Sequence, residues 1–102
     1  MNQIVSVVED DRELARVIER GLRAEGLDVV LATTGGDLLA AVERTPPHAV
    51  VIDIGLPDSD GRDVCQALRA RGVLAPVLFL TARGALTVRL SGFHAGGVDY
   101  RV

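Results

Sequence analysis

Residues 48–61 read "HAVVIDIGLPDSDG". The run is apolar through Val50, Val51 and Ile52, meets an acid at Asp53, and breaks into Gly55, Pro57 and further acids. Strand interiors rarely carry a carboxylate. Asp53 therefore marks the end of a buried strand, and its position there calls for a reason. Working outward, the chain alternates short β-branched runs with segments of helical periodicity. Strands are expected at Ile4–Val8, Leu27–Ala32, "AVVID" and Pro76–Thr81, and a last one begins at "VDYRV". "DRELARVIERGLRAEG" predicts a first helix with Leu14, Val17, Ile18 and Leu22 inward and Gly26 as its stop. "TTGGDLLAAVERTPP" predicts a second with Leu38, Leu39 and Val42 inward, ended by Pro46 and Pro47. "GRDVCQALRARG" predicts a third with Val64, Cys65 and Leu68 inward, and "ALTVRLSGFHAG" a fourth, interrupted by Gly92.

The chain has 102 residues, enough for one domain. Its composition is 48% hydrophobic and 25% charged, which is globular rather than disordered. A net charge of −3 with no basic stripe argues against direct nucleic-acid binding. The single cysteine, Cys65, excludes an internal disulfide and suits a reducing compartment. No apolar run approaches the roughly 20 residues that span a bilayer, and the opening "MNQIVSVVEDD" has no basic region of the signal-peptide kind. All eleven basic residues are arginine.

Apolar strands alternating with helices imply a parallel sheet covered on both faces. Sites in such folds form beyond the carboxyl ends of the strands. The residues at those ends are Glu9, Asp10 and Asp11 after strand 1, Asp53 at strand 3, Thr81 at strand 4 and Tyr100 in the last strand. Converging carboxylates repel, and proton uptake or a bound cation would relieve them. Oxygen ligands suit Mg²⁺, beside which an ionised Asp53 is placed to act as a nucleophile toward a phosphoryl group. Singly, each residue also has a structural reading. Asp11 is a good helix N-cap, Asp53 can bond the backbone of the following turn, and Glu9 can be a solvated strand end. Thr81 and Tyr100 can be ordinary strand residues, and Cys65 inert core.

"VVEDD", "DIGLPDSDG", "LTAR" and "HAGGVDY" fall in order along nearly the whole chain. In these motifs the sequence resembles the receiver domain of two-component response regulators, most closely of the winged-helix transcription factor type. The resemblance implies an α/β fold, a doubly wound, parallel five-stranded sheet of flavodoxin-like order 2-1-3-4-5, over residues 1–102. It implies Asp53 as phosphoacceptor and Asp10 and Asp53 as Mg²⁺ ligands through carboxylates. Gly55 would ligate through its backbone carbonyl and Glu9 through water. Thr81 is implied as the phosphoryl contact and, with Tyr100, as the switch. Pro57 and Gly61 match the turn that shapes the loop. The implied location is the cytoplasm and the implied partner a sensor histidine kinase, and DNA would be met only through an effector domain absent from this stretch.

The family's Lys-Pro pair after the Tyr-bearing strand has no counterpart here, since the chain contains no Lys and reaches Val102. The expectation is a receiver truncated before its last helix, with impaired phosphorylation and a homodimer over the face so exposed. A degenerate, phosphorylation-independent interaction module is the alternative. A haloacid dehalogenase-like phosphohydrolase would need a second Asp where Gly55 stands. A flavodoxin-like cofactor site would set a phosphate against "EDD".

Overall fold

A computed structural model describes residues 2–81, with side chains through residue 80, and the backbone of 87–91 and 98–101. The order of elements is β1 (Ile4–Val8), α1 (Arg12–Ala24), β2 (Asp28–Ala32), α2 (Gly35–Arg44), β3 (Ala49–Asp53), α3 (Gly61–Ala70), β4 (Val77–Thr81), β5 (Thr87–Ser91) and β6 (Val98–Arg101). The sheet order is β2-β1-β3-β4-β5-β6. β2, β1, β3 and β4 pair in parallel, in the expected doubly wound sequence.

Each helix is bounded by the chemistry of its ends. Asp11 caps α1, its Oδ1 accepting from Glu13 N–H at 3.0 Å and Leu14 N–H at 3.2 Å. Gly26 follows with a φ of +84°, a left-handed conformation that glycine adopts without strain and that ends the helix. Thr34 caps α2 and Asp60 caps α3. The main core lies between the sheet and α2 and α3. Val8, Val50, Ile52, Val77 and Phe79 of the strands meet Leu38, Val42, Val64, Cys65 and Leu68. A smaller cluster on the other face sets Val5, Val7 and Val29 against Ile18 and Leu22 of α1.

Three expectations are corrected. Val17 follows the helical period of α1 but is 62% exposed, because the inward stripe is carried by Ala15, Ile18 and Leu22. Residues 87–91 are not part of a fourth helix; they form β5, antiparallel to β4 with Thr81 opposite Thr87. "TVRLS" alternates apolar Val88 and Leu90 with polar neighbours, the period of a strand. Only residues 82–86 separate it from β4, too few for the crossover a parallel neighbour requires. Consequently Val98–Arg101 is the sixth strand, antiparallel to β5, rather than a fifth strand parallel to β4. The flanks of the expected fourth helix, residues 85–86 and 92–96, lie outside the described residues.

Candidate functional site

The register of the parallel strands decides what meets at their carboxyl end. Val8 stands opposite Ile52 in the β1–β3 pair, so the next positions, Glu9 and Asp53, become neighbours. Asp10 follows Glu9 before the cap of α1. Glu9, Asp10 and Asp53 each offer a carboxylate oxygen, and the three lie within 4.8 Å of one another. The expected acidic convergence is therefore present.

The three acids differ in surroundings. Asp10 is exposed and Asp53 half-buried. Asp53 Oδ1 accepts the Gly55 N–H at 3.0 Å, so the turn-forming role is real and occupies part of the carboxylate. Glu9 is only 2% exposed, which corrects its reading as a solvated strand end. Its Oε2 accepts a long bond of 3.4 Å from Asp11 N–H, and its Oε1 has no partner at all. Burial, then the neighbouring Asp53 carboxylate, push the Glu9 carboxyl up to about 8. A buried carboxylate oxygen without a donor costs free energy until a proton or cation reaches it. An all-oxygen donor set with one unsatisfied buried atom fits a hard divalent cation.

The loop after β3 is tightly built. A Cβ on Gly61 would stand 2.8 Å from Asp53 O and 2.9 Å from Ile52 Cγ2, so only glycine lets α3 start this close to β3. Gly61 N–H also donates to Ile54 O at 3.2 Å and closes the turn. Gly55 is exposed beside Asp53. Thr81 closes β4, one residue beyond the Asp53–Leu80 pairing. Tyr100 lies in β6, opposite Val88 of β5, with β5 between it and β4. The side chains of both lie outside the described residues. One participant was missed in the sequence: Asp58, whose carboxylate reaches back to α2. A partner 23 residues away leaves no local signal.

An open α/β sheet with converging acids at its carboxyl edge and a turn bound to the central one defines a doubly wound α/β domain with a carboxylate site at that edge. Comparison with known proteins gives the family. The response regulator receiver domain matches residues 5–101, and the chain belongs to that family. It is 43% identical over 96 residues to the transcriptional regulatory protein TcrA of Mycobacterium tuberculosis, covering 94% of this chain and 38% of that protein. It is 40% identical over 96 residues to the response regulator MprA of Mycobacterium leprae, covering 94% of this chain and 42% of that protein. The chain thus spans about two fifths of the length of these curated relatives. Among solved structures, the receiver domain of the Francisella response regulator 1452 superposes with a TM-score of 0.74 at 29% identity, covering 81% of this chain and 69% of that one. Among the described residues no helix is long and apolar enough to cross a membrane.

Proposed function

We propose that this domain accepts a phosphoryl group on Asp53 from a phosphohistidine of a partner sensor kinase, in a Mg²⁺-dependent step. The observation that carries the reading is the meeting of Glu9, Asp10 and Asp53 within 4.8 Å, with a buried Glu9 oxygen left unpaired. Asp10 and Asp53 would hold the ion through carboxylates, the Gly55 carbonyl would complete the protein ligands, and Glu9 would act through water. The ion, when bound, neutralises charge on the transferring phosphoryl oxygens.

An Asp53 oxygen attacks phosphorus while the phosphorus–nitrogen bond to the protonated kinase imidazole breaks, leaving an acyl phosphate and a neutral imidazole. The Gly55 N–H on Asp53 Oδ1 holds the carboxylate in one orientation and leaves the other oxygen to react. Thr81 then contacts the phosphoryl group, and Thr81 and Tyr100 together bias the face beyond β4 between two states. Apart from accepting this group and losing it to water, the domain is not an enzyme. The single domain spans residues 1–102 and works in the cytoplasm.

The names of the curated relatives support an output acting on transcription, through a DNA-binding domain outside this stretch. A homodimer would cover the α1 face, where Val17 and Leu31 are 62% and 41% exposed and Val51 is half-buried. Light scattering that returns a monomer at every concentration contradicts the dimer.

Titration with beryllofluoride and Mg²⁺ tests the central reading. The wild-type chain should bind the pair saturably, and Asp53→Asn should not. Equal binding by the variant, or none by the wild type with Mg²⁺ present, refutes it.

A further inference from the structure

Asp58 is exposed in the loop between Asp53 and α3, yet its carboxylate is engaged. Oδ1 accepts the N–H of Gly35, the first residue of α2, at 3.2 Å. The N-cap Thr34 takes the Asp37 N–H at 3.1 Å. Asp58 therefore satisfies a donor that the local cap leaves open, and does so from another part of the chain. The Gly35 N–H foremost, then that of Gly36, holds the Asp58 carboxyl below its ordinary range.

The seam is close as well as polar. A Cβ at position 35 would stand 2.7 Å from Ser59 Oγ and 2.7 Å from Val64 Cγ2. The start of α2, the loop and the first turn of α3 thus meet with no room for a methyl group. The loop that begins at Asp53 is held at both ends and in the middle. Gly55 binds the Asp53 carboxylate, Asp58 binds α2, and Gly61 packs against the Asp53 carbonyl.

We infer that Asp58 is a positioning residue for the Asp53 site: by docking the 54–60 loop on the start of α2 it fixes Gly55 and Asp53 for cation binding and passes cation occupancy on to α2. The inference rests on Glu9, Asp10 and Asp53 forming the divalent-cation site. The free-standing role of an Asp here would be a solvated loop charge, which attracts a cation whatever its geometry. The two roles separate in the amide variant, which keeps the acceptor oxygen and loses the charge.

The test is a MgCl₂ titration of the chain followed by amide NMR, for wild type, Asp58→Ala and Asp58→Asn. Asp58→Ala should bind Mg²⁺ about fivefold more weakly, the worth of one net hydrogen bond. Asp58→Asn should stay within about twofold of wild type, because its carbonyl still accepts from Gly35. The Gly35 amide should shift with Mg²⁺ in wild type and stay still in Asp58→Ala. Gly35→Ala crowds the same seam from the α2 side and should weaken binding likewise. Wild-type affinity in Asp58→Ala overturns the inference alone, as does equal weakening in Ala and Asn variants. Absence of Mg²⁺ binding by the wild-type chain overturns the cation site and the inference with it.

Discussion

At the amino end of the parallel strands the buried polar groups are paired off within the chain; at the carboxyl end one buried oxygen, Glu9 Oε1, is not. His48 Nδ1 accepts the Ile4 N–H at 3.0 Å, and His48 N–H donates to Ile4 O at 2.8 Å, stitching β1 to β3 where both begin. Arg69 donates to Val73 O at 2.9 Å and Ala75 O at 2.7 Å, holding the turn that leads into β4. The opposite end collects three carboxylates and leaves Glu9 Oε1 buried without a donor. Ser6 Oγ, the other such atom among the described residues, sits in mid-strand between the two ends. The contrast separates groups that hold the fold from groups that wait for a partner. Satisfied buried polar groups stabilise, whereas unsatisfied ones are retained at a cost where a ligand is to be met.

Substitutions at the two ends should therefore change stability with opposite signs. The largest effect is expected at the amino end. Arg69→Ala removes two charge-assisted bonds to carbonyls and should cost about 3 kcal/mol in urea unfolding followed by circular dichroism. Mg²⁺ affinity should hardly move, and a large loss of it would break the division between the ends.

At the carboxyl end the test is pH. Glu9 titrates near its ordinary value of 4.5 when unfolded and at about 8 when folded, so the folded state binds the extra proton between these limits. Without divalent cation, stability is then full near pH 4.5, falls as pH rises, and levels off above about 8. Glu9→Gln, which cannot ionise, should remove that slope and make the cation-free protein more stable than wild type at pH 8. A destabilised Glu9→Gln at pH 8 would place Glu9 among the fold-holding groups instead. The smallest effect is expected for His48→Ala, about 1 kcal/mol for the bond to Ile4 N–H, with no change in phosphoryl labelling.

The sequence carried most of this contrast, but not evenly. Strands β1 to β4 and helices α1 to α3 were legible because their apolar periods are clean and the caps at Asp11 and Gly26 are local. The convergence of Glu9, Asp10 and Asp53 was legible because parallel order alone brings strand ends to one edge. The depth of Glu9 was not, since burial depends on neighbours that the local pattern does not name. Nor was the Asp58–Gly35 bond, which joins distant segments. Beyond Thr81 the alternation of strand and helix earlier in the chain outweighs the period of two in "TVRLS", so a helix is expected where a strand forms. Val17 departs from expectation for a related reason: it fits the helical spacing, but its side of α1 meets solvent.

The most direct test of the cation claim is an anomalous diffraction map from crystals soaked in Mn²⁺. A single strong peak should appear bounded by the carboxylates of Asp10 and Asp53, with Glu9 behind it. Saturating Mn²⁺ with no peak between those two residues, or with their side chains turned apart, would contradict it.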